Sequence, residues 1–199
     1  MIVAGLDASP RARAMAQRLA DTAEHAGLAA ADVALIERAF DLAMQPRIER
    51  IADDHDPDFL HPARTTLILL EDVGCRDART LAAGALCETV RLELAVPIAR
   101  VEAALDPAVR ALLDEVPVPE RAGEELLERL VTAGQDARLI ALAERLDHAR
   151  HLHLRPAAGW PAFHALTCDV YLPLASRADP TLERRLRWWC GMFARRFLR

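Results

Sequence analysis

LAERLDHARHLHL, residues 142–154, carries two acids, two arginines and three histidines within about three helical turns. At 3.6 residues per turn, Glu144, His148 and His151 fall at i, i+4 and i+7 on one face, and Leu139, Leu142, Leu146 and Ala149 form an apolar stripe opposite. Two readings stay open for that polar face. Two histidines and a glutamate on one stripe are a zinc-ligating set. Alternatively, Glu144–His148 is a solvated pair near a helix C-terminus, where histidine suits the dipole.

The bulk of the chain narrows the choice. Its 199 residues are enough for one domain with a proper core. Hydrophobic residues make up 52%, which excludes a disordered chain. A formal charge of −5 argues against general nucleic-acid binding. Every basic residue is arginine, so no ammonium group is available as a base, Schiff-base former or phosphate contact. No apolar run reaches the ~18 residues of a membrane span, and MIVAGLDASPRARAMAQ lacks the form of a signal peptide. Cys75, Cys87, Cys168 and Cys190 are scattered without a CxxC pair, so they read as reduced core thiols in a cytoplasmic protein.

Glycine is scarce, alanine and leucine dominate, and no stretch alternates as a strand would; the expected fold class is all-α. Ser9-Pro10 starts a helix that ends near Gly27. A second helix is expected from Ala31 to Met44. The connection QPRIERIADDHDPDFLHP then carries prolines 46, 57 and 62 and an acidic cluster at Asp53, Asp54 and Asp56. Pro62 opens the next helix and Gly74 stops it. A nearly apolar helix is expected over Asp77–Leu94, central and buried. Further helices are expected at Pro97–Ala104, Pro107–Glu115, Pro119–Thr132, Asp136–His153, Trp160–Ser176 and Pro180–Phe197. Residues 1–28 read as a helical extension and 29–199 as the main domain, compact overall.

Glu88 draws attention because a carboxylate in an apolar helix needs an arginine, a metal or a proton. Its neighbour Cys87 and the helix-starting His61 are further candidate ligands. Arg91, one expected helical turn on, could pair with Glu88 or Glu144 where a metal would otherwise sit.

The order of three motifs resembles the HD-type hydrolase domain of RelA/SpoT-like proteins, which cleave the alarmone (p)ppGpp. DPDFLHPARTTLIL stands where that family has its HP segment. AAGALCETVRLE stands for its HD and ED pairs, and LIALAERLDHARHL for "KLADRLHNMR". LDPAVRALLDEV and GWPAFHALTCDVYLPLA are similar to two flanking segments, so the resemblance runs over residues 33–178. It implies an HD-domain-like all-α bundle, with an N-terminal helical extension, a C-terminal helix and a central metal site.

The departures fall on the functional positions. The resemblance maps metal ligands onto His61, Cys87, Glu88 and Glu144. It maps the catalytic Glu-Asp pair onto Arg91 and Leu92, so no catalytic residue is assigned. Ligand contacts fall on Arg47, Arg50, His148 and Arg150. The implied function is a diverged relative of (p)ppGpp 3'-pyrophosphohydrolases that has lost hydrolysis and binds a nucleotide or a protein. One alternative is a metal-dependent phosphohydrolase with the rebuilt His/Cys/Glu/Glu site. Another is an interaction module using the Trp/Arg helix of residues 180–199, by homo-oligomerisation or with a protein partner. No cofactor is expected, or, if a metal binds, zinc or manganese. The expected small-molecule partner is a guanosine nucleotide or other phosphorylated compound, with no membrane span.

Overall fold

The Ser9 hydroxyl accepts the Ala12 amide and Pro10 follows it, which starts α1 (Pro10–His25). The computed structural model describes residues 9–117 and 124–198, and every regular element among them is a helix. After α1 come α2 (Ala30–Arg50), α3 (His61–Leu67) and α4 (Ala78–Leu86), then α5 (Ile98–Ala104), α6 (Pro107–Glu115) and α7 (Glu124–Thr132). The chain continues through α8 (Gln135–His151), α9 (Trp160–Leu166), α10 (Leu172–Ala178) and α11 (Pro180–Phe197). The expected start of α7 at Pro119 lies outside the described residues. Leu19 and Ala23 of α1 are buried, and α1 packs on α2 and α3.

The short helix α4 is the hub. It packs against α2, α3, α6 and α8, and all its residues except Arg79 are buried. Its sequence ARTLAAGAL explains how four helices come so close: alanine and glycine keep the neighbours near. At Gly84 a Cβ would lie 2.5 Å from Leu69 Cδ1, so any side chain there would push Leu69 aside. Gly74 takes a φ of 77° and ends the run from α3, whose last stretch, Ile68–Val73, winds as a π-helix.

Three expectations about the helices are corrected. The helix expected over Asp77–Leu94 stops at Leu86, because Cys87 turns extended and the Glu88 carboxylate accepts the Val90 and Arg91 amides instead. Pro46 does not break the second helix, which runs on to Arg50 with the proline inside it. Met44, Pro46 and Arg47 are all buried there, and that packing outweighs the ~3 kcal/mol an interior proline typically costs. The 142–154 stretch is not a solvated face either: α8 is buried almost all round, with Glu144, Arg145, Asp147 and His148 all inside.

Residues 160–178 form one helical run interrupted by π-helix at Thr167–Tyr171. Asp179 caps α11 through the Thr181 and Leu182 amides. That helix sends Trp189, Cys190 and Phe193 inward, where they pack with Ala149 and Leu152, while Trp188 stays 66% exposed. No helix among the described residues is long and apolar enough to cross a membrane.

Candidate functional site

Three elements meet at the centre. α3 brings His61 at its first residue, the turn after α4 brings Glu88, and α8 brings Glu144, Asp147 and His148 one turn apart. One donor atom from each of His61, Glu88, Glu144 and His148 lies within 4.8 Å of the others, and all four residues are buried. This set can hold a metal ion.

Each imidazole has its tautomer set by a neighbour. His61 Nδ1 donates to Asp147 Oδ2 at 2.8 Å, which leaves Nε2 as the accepting nitrogen. A carboxylate behind a ligating histidine is the usual support of a metal site. Burial lowers the His61 pKa, but the hydrogen bond and charge of Asp147 outweigh it and the net shift is upward. His148 behaves oppositely: burial and the nearby His61 lower its pKa. Its ring stacks on His61 with centroids 4.2 Å apart. Arg155 donates to His148 Nδ1 at 3.0 Å, so the neutral ring carries its proton on Nε2. That atom is buried and makes no hydrogen bond, 3.3 Å from Glu144 Oε1 and 3.7 Å from Glu88 Oε1.

The carboxylates are heavily engaged. Glu88 Oε1 accepts two backbone amides, and Oε2 takes Arg47 Nη2 at 2.8 Å in a fully buried pair. Arg47 also donates to the carbonyls of Asp58, Ala43 and Leu94. Glu144 Oε1 accepts the amide and hydroxyl of Thr89. Burial pushes the Glu144 pKa up, but His148, His61 and Thr89 outweigh it and hold it at about 2. Asp147 is likewise held well below the carboxylate range, by His61 and Arg64 against its own burial.

Three of the four buried carboxylates have guanidinium partners. Asp58, Glu88, Glu144 and Asp147 are the buried carboxylates. Arg47 pairs with Glu88, Arg64 with Asp147, and Arg91 and Arg155 with Asp58. Glu144 has no guanidinium partner and faces Thr89 and His148 instead, while the buried Arg145 donates to Thr167 and the Phe163 carbonyl.

Several expected site residues fall elsewhere. Cys87 does not join the four-ligand cluster; its place is taken by His148, because the chain turns at Cys87 as α4 ends. Burial, with Glu144 and Glu88 nearby, raises the Cys87 thiol pKa well above its usual value. Arg47 is 1% exposed and serves Glu88 rather than a ligand. Arg91 does not occupy the centre: its side chain runs outward to Asp58 and Glu93, since residues 87–91 are not helical. Leu92 lies exposed at the surface beside it, and Arg50 donates to the Glu93 carbonyl. Sequence reasoning missed Asp147 and Asp58, whose only signal was acidity beside His148 and His61.

Arg150 opens a second region. It pairs with Asp72, as does Arg185. These residues line a cleft of about 370 Å³ with Arg18, Arg64, Asp147 and His151. A smaller hollow of about 280 Å³ continues past Arg150 and Arg185 to Arg184 and Trp188. Asp147 therefore has His61 on one side and the cleft on the other. No family model matches the chain, and no curated protein matches it.

Proposed function

We propose that this chain is a diverged HD-type domain of the RelA/SpoT-like class that has lost alarmone hydrolysis and binds a phosphorylated nucleotide. The observation that carries the reading is the buried Arg47–Glu88 pair, which sets a guanidinium against one of the four candidate ligands. A hydrolytic metal site keeps an open position for water and substrate. Here Glu88 already accepts two amides and a guanidinium, and His61 is 0% exposed. The position of the expected Glu-Asp pair holds Arg91 and Leu92, so no acid/base partner is at hand.

The binding half of the proposal rests on the cleft beside the cluster. Arg18, Arg64, Arg150 and Arg185 face it, and guanidinium forks match phosphate oxygens. A phosphate there would replace Asp72 as the partner of Arg150 and Arg185, and exposed Trp188 offers a stacking face for a base. The test is equilibrium binding of ppGpp and GTP to the full chain, with product analysis after incubation with Mn²⁺ or Zn²⁺. Saturable binding without pyrophosphate release is expected. Arg150→Gln should weaken binding ~10-fold or more, the value of one charge-assisted contact. Pyrophosphate release would overturn the loss of hydrolysis, and absence of saturable binding would overturn the nucleotide assignment.

A second reading, a metal-dependent phosphohydrolase, is favoured by the unpartnered His148 Nε2 aimed at the two glutamates. His61, Glu88, Glu144 and His148 would hold zinc or manganese, which would supply Lewis-acid polarisation of a phosphate. Binding requires His148 to move its proton to Nδ1, where Asp58 Oδ1 at 3.8 Å is the available acceptor once Arg155 gives way. Glu88 must also surrender Arg47 or bind through its remaining lone pairs.

A further inference from the structure

Away from the centre, His164, Cys168 and Cys190 converge where the 160–178 run crosses α11. A ring nitrogen of His164 and the two sulfurs lie within 4.8 Å of one another. We propose that these three side chains form a second, sulfur-rich site for a thiophilic divalent cation of the zinc class. It shares no ligand with the central cluster and does not depend on the nucleotide-binding reading.

Three observations support this inference. First, the tautomer suits ligation. His164 Nε2 donates to the Cys190 carbonyl at 2.9 Å, and a carbonyl can only accept. The proton is thereby fixed on Nε2, and Nδ1 is left with an accepting lone pair that the Cys168 thiol approaches. A histidine anchored to a backbone carbonyl by its other nitrogen is the common arrangement in zinc sites.

Second, the spacing fits. Cys168 Sγ lies 3.8 Å from His164 Nδ1 and 3.5 Å from Nε2, so ligation through Nδ1 needs its side chain to turn toward that nitrogen. Bond lengths of ~2.3 Å to sulfur and ~2.0–2.1 Å to nitrogen put the S···N edge of a tetrahedron at about 3.6 Å. Third, the backbone is adapted locally. Cys168 sits in the Thr167–Tyr171 π-helix, and departures of this kind recur at functional sites.

Binding is charge-balanced. The cation replaces one proton on each thiol, two protons pass to solvent, and two thiolates with a neutral imidazole leave the site neutral. The fourth position is open to solvent, since His164 and Cys168 are only partly buried. Each thiol gives up its proton when the cation binds. Metal uptake should therefore strengthen steeply with pH.

The experiment loads the reduced full chain with Co²⁺ as a spectroscopic stand-in, then displaces it with Zn²⁺. A sulfur-to-cobalt charge-transfer band at one equivalent is expected, lost on zinc addition. Nitrogen and carboxylate ligands give no such band, so the central cluster cannot supply it. Cys168→Ser and Cys190→Ser should abolish the band. His164→Gln should weaken cobalt affinity ~10-fold or more. Because Cys190 is buried and its variant can misfold, the half-buried Cys168 is the deciding position. Glu144→Gln should leave the band intact. No charge-transfer band, or an undiminished band in Cys168→Ser, overturns the proposal. A chain isolated two hydrogen masses light, with a Cys168–Cys190 disulfide and no cobalt band after reduction, overturns it as well.

Discussion

Arg47→Met tests whether an arginine holds together the centre of this protein. The native guanidinium donates to Glu88 at 2.8 Å and to three carbonyls, at 2.8, 3.1 and 3.3 Å, with 1% of the residue exposed. Methionine fills much of the same volume but leaves Glu88 charged and buried with only two amide donors. Breaking a buried pair from one side typically costs about 3–5 kcal/mol. With a urea m-value near ~2 kcal/mol/M, the unfolding midpoint should drop by about 2 M. Arg47→Met with Glu88→Gln removes the stranded charge and should recover about 2 kcal/mol of that loss.

The same variant exposes the competition between arginine and metal. With Arg47 gone, Glu88 Oε2 is free, and zinc at 100 times its dissociation constant should restore about 2.7 kcal/mol. The parent should gain far less from zinc at this site. A Cys168→Ser background keeps the sulfur-rich site out of the comparison. If Arg47→Met lost under about 1 kcal/mol, or zinc stabilised parent and variant equally, the argument that Arg47 balances Glu88 in this core would fail.

The acid limb of stability has a defined sign. Glu144 falls from an ordinary 4.5 to about 2, and Asp147 is lowered too, so both contribute stability above the unfolded value and lose it as pH falls through the folded one. For Glu144 the effect at neutral pH is on the order of 3 kcal/mol. Urea midpoints should hold from pH 7 to about 5 and fall below about 4, with a shallower fall in Glu144→Gln. His61, raised, loses its contribution as pH rises through its folded value; His148, lowered, loses its own as pH falls through 6.5, so the two oppose near neutrality. Asp179→Ala removes the cap that accepts two amides of α11 and should cost about 1–2 kcal/mol in thermal or chemical unfolding.

Helices announced by short-range chemistry were legible. Asp106-Pro107 and Asp179-Pro180 place a cap and a proline at the start of α6 and α11, and both helices begin where expected. Boundaries set by distant contacts were not. Nothing near Leu86 breaks the apolar run; Glu88 ends it by folding back on the Val90 and Arg91 amides while Arg47 draws on its other oxygen. Pro46 looked like a stop because its burial within α2 depends on packing the local sequence does not specify.

The same asymmetry runs through the site. His61, Glu88 and Glu144 stood out as buried polar candidates. His148 is a zinc-ligand candidate beside Glu144 on its helix face and, through the resemblance, a ligand contact; its ring stacks on His61 and it joins the cluster where Cys87 was expected. Arg47 takes the Glu88-pairing role expected of Arg91, because the reach of a guanidinium depends on how helices pack. The pairing of Cys168 with Cys190 leaves no trace in sequence spacing, since α11 brings the second sulfur back across 22 residues.

The burial of α8 on nearly every side changes how its evolutionary record should be read. A helix with no solvated stripe has few positions free to drift, so relatives of this chain should vary little along Ala137–Ala149 for reasons of volume alone. Invariance there is no sign of chemistry. What separates a working centre from a filled one is polar identity at constant size. Drift of Glu144 to glutamine or of Asp147 to asparagine would mark lineages in which the cluster only packs, and their absence would mark lineages in which its charge is still in use.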